Sequence, residues 1–334
     1  MLRGDSVPSF KHDRVTPAQI IILGFLLLIF TGAVLLMLPF STQEPGGASF
    51  GDALFTATSA TCVTGLVLHD TALYWSPFGQ LVILLLIQVG GMGVVTIAVA
   101  IFMFAGKRIG LKQRWVMQES ISAPQVGGIV RMTGFILKTA FLIEGVGVLL
   151  LALRFCPQFG LGRGLWYAVF HSVSAFCNAG FDLMGVNSPF SSLTDYVGDP
   201  LVSNVIAFLI IIGGVGFLTW NDIREHKLHF RRYRLQSKLI LTTTLALILT
   251  GLLFFLLYEF EQGQWVDMSL WERINAAFFQ SVTPRTAGFN TVDLTGLSQP
   301  AQLLIILLML VGGSPGSTAG GFKTTTLAVM LLGI

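Results

Sequence analysis

Long apolar stretches alternate with shorter, more polar segments along most of the chain. Four of the stretches contain no charged residue and lie at 18–40, 78–105, 201–219 and 239–257. A helix needs about 20 apolar residues to cross a bilayer, so each stretch predicts a membrane-spanning helix. Two further stretches have polar features: 132–155 carries Lys138 and Glu144, and 301–334 contains the segment GGSPGSTAGGFKTTT. Charged groups in a span usually face protein or water, so these two helices are not expected to face lipid on all sides.

Between the spans lie segments that are too apolar for ordinary loops and too short to cross. They read SFGDALFTATSATCVTGL, GRGLWYAVFHSVSAFCNAGF and LWERINAAFFQSVTPRTAGF. Each predicts a half-helix that enters the membrane and returns.

The order of span, dipping segment, glycine turn and span occurs three times, which indicates an internal repeat. The turns align as Val63-Thr64-Gly65-Leu66, Asn178-Ala179-Gly180-Phe181 and Thr286-Ala287-Gly288-Phe289, and the second spans align at Gly90-Gly91, Gly213-Gly214 and Gly312-Gly313. The predicted organisation is an amino terminus at 1–16, repeats at 17–106, 131–222 and 238–334, and connecting loops at 107–130 and 223–237. The third repeat has an interrupted second span, and the chain ends before a fourth repeat.

Basic residues are clustered, and the positive-inside rule predicts that the clusters are cytoplasmic. This places the amino terminus in the cytoplasm and the dipping segments on the outer side of a multi-pass protein of the cell inner (plasma) membrane. The clusters consist of Arg3, Lys11 and Arg14; Lys107, Arg108, Lys112 and Arg114; and Arg224, Lys227, Arg231, Arg232, Arg234 and Lys238. The last cluster could bind anionic lipid headgroups, dock a regulatory subunit, or serve only as an inside anchor.

Composition narrows the possible classes. Hydrophobic residues make up 53% of the 334 residues and charged residues only 11%, which is typical of an integral membrane protein. The net charge of +3 is too small to indicate a nucleic-acid partner. Cys62, Cys156 and Cys177 have neither the count nor the spacing of a disulfide framework or a zinc site.

The glycine turns suggest cation chemistry. A half-helix that ends within the membrane points its partially negative carbonyl end toward the membrane centre, where cations are favoured. A glycine in the next turn allows unusual backbone conformations, so successive carbonyl oxygens can face one axis and replace the water around an alkali cation. A four-sided pore would need four such turns, and the chain provides three. We therefore expect that a fourth repeat is missing because the sequence is truncated.

Three interpretations apply to the polar segment. A phosphate-binding loop fits poorly, because Phe322 stands between Gly321 and Lys323, where the motif needs an adjacent lysine. Close helix packing is possible, since Gly316 and Gly320 form a GxxxG pattern. The favoured interpretation is a flexible loop below the turns that blocks the pore until it moves. Its residues are Gly312, Gly313, Ser314, Pro315, Gly316, Ser317, Thr318, Ala319, Gly320, Gly321 and Lys323.

The motifs SVTPRTAGFNT and SPGSTAGGFKTTT resemble those of the Trk/Ktr/HKT superfamily of potassium transporters, and are most similar to the KtrB-like membrane subunit of bacterial Ktr systems. The resemblance covers nearly the whole chain. It implies an all-α integral membrane fold with a pseudo-fourfold pore, a homodimer, and a KtrA-like cytoplasmic nucleotide-binding regulatory subunit. It also implies potassium uptake that is often linked to sodium, without a cofactor. The implied ion-binding filter consists of the main-chain carbonyls of Val63, Thr64, Gly65, Asn178, Ala179, Gly180, Thr286, Ala287 and Gly288.

Two other functions stay open on the residues alone. A secondary carrier with broken helices would bind its substrate near the membrane midplane, and a membrane enzyme would use a degenerate phosphate loop. The repeats keep one orientation, which favours a pore, and no enzyme motif is complete. Arg285 is expected near the outer lip of the third turn. Glu144 is expected to be a packed, paired glutamate, for which Lys138 is a poor partner.

Overall fold

The computed structural model describes residues 16–105, 109–121, 127–227 and 229–333, and it is built from helices joined by turns. The predicted cytoplasmic residues Arg3, Lys11, Arg14, Lys107 and Arg108 lie outside these ranges. The helices are α1 (Pro17–Leu36), α2 (Phe50–Thr61), α3 (Thr71–Tyr74), α4 (Pro77–Met92), α5 (Val94–Phe104), α6 (Leu111–Ser120), α7 (Ile129–Phe159), α8 (Leu161–Phe176), α9 (Pro200–Val215), α10 (Phe217–His226), α11 (Leu235–Phe254), α12 (Leu270–Val282), α13 (Gln299–Leu310) and α14 (Thr324–Leu332).

Three helical stretches within the described residues are long and apolar enough to cross a membrane unbroken: Pro17–Leu36, Ile129–Phe159 and Leu235–Glu259. The first begins with a capping box, because the Thr16 hydroxyl accepts a hydrogen bond from Gln19 N while Thr16 N donates to the Gln19 side chain. Pro17 occupies the first helical position, where its missing N–H costs nothing. A π-helical segment, Phe255–Glu259, extends the third stretch.

The second span of each of the first two repeats is bent, although the sequence predicts continuous helices over 78–105 and 201–219. α4 and α5 form one bent pair, α9 and α10 another, and both are bent by 94°. The bends occur at Gly93 and Gly216, whose φ angles of 84° and 96° fall outside the helical region. Apolar residues stand directly on both sides of each bend, so hydropathy gives no sign of it.

The third repeat differs, because its second span is interrupted by a loop instead of a bend. α13 ends at Leu310 and α14 begins at Thr324, so the break falls where the sequence predicts it. We call residues 312–323 the polar loop. A bridge between Val311 and Phe322 closes its base.

Each dipping segment contains a short helix that ends at a glycine turn, namely α2, α8 and α12. Ser49 caps α2 and Ser269 caps α12, and Glu272 completes a capping box at the latter. We call residues 63–65, 178–180 and 286–288 the first, second and third turns. The short helices pack between the spans, and the largest buried core includes residues from all three repeats.

The connection between the first two repeats contains a helix, α6, where the sequence predicts only a loop at 107–130. It packs on α1, α5 and α7. The connection between the second and third repeats is held by buried Asp222, whose Oδ2 accepts hydrogen bonds from Arg234 N at 3.0 Å and Ser237 Oγ at 2.6 Å. The described parts of both connections therefore make specific contacts with the helices beside them.

Candidate functional site

The three glycine turns meet. A Cβ atom added to Gly65 would lie 2.6 Å from the carbonyl oxygen of Ala179, and one added to Gly180 would lie 2.5 Å from that of Ala287. A Cβ on Gly288 would lie 3.3 Å from the Cα of Gly180. The turns therefore contact each other in the order first, second, third through main-chain atoms. The contacts leave no room for a side chain at Gly65 or Gly180 and little room at Gly288.

Each turn has the same alternation of backbone conformation. Val63, Asn178 and Thr286 have φ angles of 56°, 57° and 65°. The glycines two residues later have φ angles of 79°, 72° and 84°. Asparagine tolerates the left-handed region, whereas a β-branched residue such as Val63 does so rarely. Backbone strain of this kind tends to persist at functional sites where the surroundings hold it in place.

A hydroxyl group bonds to the end of each turn; it comes from the preceding short helix in the first two repeats and from the residue directly after that helix in the third. Ser59 Oγ donates to Leu66 O at 2.7 Å, Ser174 Oγ donates to Phe181 O at 2.6 Å, and Thr283 Oγ1 donates to Phe289 O. The acceptor is in every case the carbonyl directly after the turn glycine. These three residues are not among those predicted from the sequence, although a hydroxyl stands five or six positions before each turn glycine.

Gly90 and Gly213, in the second spans of the first two repeats, allow these spans to contact the short helices closely. A Cβ on Gly90 would lie 2.0 Å from Thr61 O, and a Cβ on Gly213 would lie 2.0 Å from Phe176 O. Thr61 and Phe176 both stand four residues before the turn glycine. Small residues let membrane helices approach each other closely, and here they let a span press against the start of a turn.

A cavity of about 120 Å³ opens beside the turns, on the side that the sequence predicts to be the outer one. Its lining includes all three turn glycines, and its acidic residues are Asp70 and Asp182. Asp70 Oδ2 accepts a hydrogen bond from Phe190 N at 2.8 Å, which ties the outer loops of the first two repeats together. Burial, reinforced by the nearby Asp70 carboxylate, raises the pKa of Asp182 to about 6 against the opposing hydrogen bond from Met184 N. The outer mouth thus carries two acidic side chains.

The polar loop folds back on itself beneath the turns. Gly312 N donates to Phe322 O at 2.9 Å, and Gly313 N donates to Gly320 O at 3.2 Å. Lys323 Nζ donates to Ala319 O at 2.9 Å and to Gly320 O at 3.4 Å, so its ammonium group is bound to loop carbonyls. This arrangement differs from a phosphate-binding loop, where the lysine would point at a ligand.

The polar loop is also anchored to the bend of the second repeat. Ser314 N donates to Gly214 O at 2.9 Å and Phe217 N donates to Gly316 O at 2.7 Å. Backbone polar groups within a membrane are tolerated only when they are buried in protein or line a wet cavity. The loop meets that requirement by hydrogen bonding to the chain around Gly216.

Arg285 does not lie at an exposed outer lip, as the sequence suggests, but is buried with 5% exposure. Its Nη2 donates to Gly312 O at 3.5 Å and to Thr244 Oγ1 at 3.4 Å. The guanidinium therefore turns away from the outer mouth toward the start of the polar loop. Sequence alone could not give this direction, because both acceptors are distant in the chain.

Two further buried side chains, Glu144 and His171, have hydrogen-bond partners within the protein. Glu144 is buried and accepts hydrogen bonds from Gln88 Nε2 at 3.0 and 3.2 Å, while Lys138 is exposed. This agrees with the expectation of a packed, paired glutamate. His171 is fully buried, with Nδ1 2.7 Å from Tyr167 O and Nε2 accepting from Leu183 N at 3.2 Å. It supports the segment after the second turn.

Comparison with known proteins finds similar sequences over almost the whole chain. Residues 7–334 match the family model described as TrkH, cation transport protein. The Ktr system potassium uptake protein B of Bacillus subtilis is 43% identical over 325 residues, covering 97% of this chain and 71% of that protein. The potassium/sodium uptake protein NtpJ of Enterococcus hirae is 41% identical over 321 residues, covering 96% and 70%.

A solved structure shares the fold. The crystal structure of the potassium transporter TrkH from Vibrio parahaemolyticus matches with a TM-score of 0.69 at 20% sequence identity, covering 96% of this chain. The chain spans 62% of the length of that transporter. The two proteins thus share a fold, which in this chain is helical with bent and interrupted apolar spans.

Proposed function

The chain belongs to the TrkH family of cation transport proteins, and on this premise we propose that it is a potassium uptake transporter subunit whose three glycine turns form part of the ion-selective filter. The observation that carries the proposal is the contact between Gly65, Gly180 and Gly288 through neighbouring main-chain atoms. Relatives named as potassium uptake proteins support the choice of ion.

The filter would act through the main-chain carbonyls of residues 63–65, 178–180 and 286–288. A cation that loses its water shell needs oxygen ligands at short range, and converging turns can supply them. The carbonyl ends of α2, α8 and α12 add partial negative charge near the same place. Asp70 and Asp182 at the outer mouth would raise the local cation concentration before the ion reaches the turns.

We propose that the polar loop is the gate. It lies below the second and third turns, and its hydrogen bonds to Gly214 and Phe217 hold it there. Five glycines and one proline make it a poor helix former, so displacement would not require a helix to unwind. Flux would rise when these bonds break.

Partners and a second ion are proposed from the names of the relatives. A Ktr system with several components suggests a cytoplasmic, KtrA-like nucleotide-binding regulatory subunit, and the family resemblance suggests a homodimer. The name of NtpJ suggests that sodium is also transported or coupled. The proposed location is the cell inner membrane with the amino terminus in the cytoplasm, where membrane lipid would surround the apolar spans.

Radioactive rubidium uptake tests the function. Cells that lack their own potassium uptake would express the gene that encodes this chain, with and without a KtrA-like subunit, and uptake would be measured at low external potassium. We expect saturable rubidium uptake that potassium inhibits. A protein that reaches the membrane but supports no cation uptake would reject the proposal, and uptake of a neutral solute would favour the secondary carrier.

A further inference from the structure

One filter residue, Asn178, is bonded both to the polar loop and to the neighbouring turn. Its side chain is 1% exposed. Asn178 Oδ1 lies 3.2 Å from Thr318 Oγ1 of the polar loop, and Asn178 Nδ2 donates to Arg285 O at 3.4 Å, directly before the third turn. The amide therefore joins the second turn, the third turn and the loop.

The loop partner is held tightly. Thr318 Oγ1 lies 2.9 Å from Phe176 O as well as 3.2 Å from Asn178 Oδ1, so its single proton is shared between two acceptors on the same short segment. Thr318 N also donates to Gly213 O at 3.3 Å. The middle of the polar loop is thus bonded to the end of α8 and to the second turn itself.

A second hydrogen-bonded connection joins the third turn to the start of the polar loop. Arg285, whose carbonyl accepts from Asn178, extends its guanidinium to Gly312 O at the start of the polar loop. Both the start and the middle of the loop therefore bond to residues at or beside a filter turn. Val63 and Thr286, the equivalents of Asn178 in the other two turns, have no amide that could both donate and accept.

From this arrangement we propose that Asn178 is a positioning residue that couples the polar loop to the filter, so that moving the loop changes ion preference as well as flux. The inference rests on the proposed function. When the loop leaves, the buried amide oxygen of Asn178 loses its loop partner, and an unpaired buried polar group is unfavourable. The left-handed second turn then loses one of the contacts that hold it. By thermodynamic reciprocity, the ion that occupies the filter also shifts the position of the loop.

The first test compares two neighbouring hydroxyl groups of the loop. Thr318→Val removes the hydroxyl that reaches Asn178 while keeping the side-chain shape. Ser317→Ala is the matched control, because the Ser317 hydroxyl donates only within the loop, to Ser314 O at 2.7 Å and Ala319 O at 3.4 Å. Thr318→Ser keeps the bond and should behave as the parent. Rubidium and sodium uptake rates would be measured for each variant.

We expect Thr318→Val to lower the preference for potassium over sodium by about two- to tenfold, the size expected for one hydrogen bond, and to raise flux. Ser317→Ala should leave the preference unchanged. Higher flux with an unchanged preference in Thr318→Val would overturn the coupling while leaving the proposed function intact. Absence of uptake in the parent protein would instead reject the proposed function.

A second measurement does not depend on the fold of Thr318→Val. A cysteine introduced by Ser317→Cys would be modified with a hydrophilic thiol reagent, and the unsubstituted chain would report any reaction of Cys62, Cys156 and Cys177. We expect the modification rate in potassium solution to differ by about two- to tenfold from the rate in sodium solution, since each ion would set the loop equilibrium differently. Equal rates in the two solutions would overturn the coupling.

Discussion

Gly180 lies so close to Ala287 that a Cβ atom on the glycine would be 2.5 Å from the carbonyl oxygen of the alanine. Two turns from different repeats, far apart in the chain, therefore fit together through backbone alone. The relationship makes the turn glycines the most direct place to test the filter.

Gly180→Ala should weaken potassium preference strongly. The added Cβ would displace the Ala287 carbonyl, and a non-glycine residue at φ 72° costs about 1–2 kcal/mol. The measurement is the ratio of rubidium to sodium uptake. Gly162→Ala is the matched control, because no atom lies within 4 Å of its added Cβ. Unchanged preference in Gly65→Ala, Gly180→Ala and Gly288→Ala would reject the filter assignment.

Ser59→Ala should lower the apparent affinity for potassium by several fold. The variant removes the hydrogen bond to Leu66 O that braces the first turn, which is worth about 1 kcal/mol. Thr58→Val is the control, since the Thr58 hydroxyl donates to Leu54 O within its own helix. The apparent affinity of each variant is measured from the dependence of the rubidium uptake rate on rubidium concentration. Equal effects of both variants would assign the loss to α2 stability instead of to the turn.

Deletion of residues 314–319 should raise flux and reduce its dependence on the regulatory subunit. The deletion removes the hydrogen bonds from Ser314 N and Thr318 N that hold the polar loop on α9. Rubidium uptake with and without the regulatory subunit measures both effects. Gly320→Ala is the control, because its added Cβ meets no atom within 4 Å. If the deletion merely abolishes membrane expression, helix packing is the better interpretation of the loop.

Uptake should fall as external pH drops through about 6. Burial and the neighbouring Asp70 carboxylate raise the pKa of Asp182 to this value, so the side chain is charged above it and neutral below it. Protonation then removes one of the two acidic charges at the outer mouth. We expect Asp182→Asn to give low uptake at all pH values and to flatten the profile between about pH 5 and 7, as measured at subsaturating potassium.

The control for this profile is Asp293→Asn. Asp293 lies in an exposed outer segment, and hydrogen bonds from Thr295 hold its pKa below the usual range, so it does not titrate near pH 6. Its replacement should leave the profile unchanged. If uptake by Asp182→Asn still fell as the external pH dropped through about 6, a group other than Asp182 would be responsible for the pH dependence.

Local sequence patterns were sufficient for the main features of the fold. Apolar length predicts the spans, and the spacing of glycines identifies the turns and the interrupted helix at Gly312. The signal is strong at these positions because the physical requirement is local: a span needs continuous apolar residues, and a left-handed turn favours glycine.

The sequence was less informative about features that depend on contacts between residues far apart in the chain, such as helix bends and side-chain directions. The bend at Gly93 lies inside the apolar run 78–105, and the bend at Gly216 lies inside the apolar run 201–219, before the polar residues of α10 begin. Apolar residues therefore stand on both sides of each bend, and hydropathy does not reveal it. Arg285 was expected near the outer lip because its neighbours in sequence are turn residues. Its acceptors, Thr244 and Gly312, come from other elements, so only the folded structure gives its direction.

The contacts of Gly90 with Thr61 and of Gly213 with Phe176 have a consequence for how such a protein could diversify. In both cases a helix backbone rests directly on the carbonyl just ahead of a turn, without intervening side chains. The distance between each span and its turn is then set by the thickness of the polypeptide backbone, which no substitution can reduce. In the proposed filter, new ion preferences would therefore have to arise in the turns or in the polar loop, while these two backbone contacts stay constant.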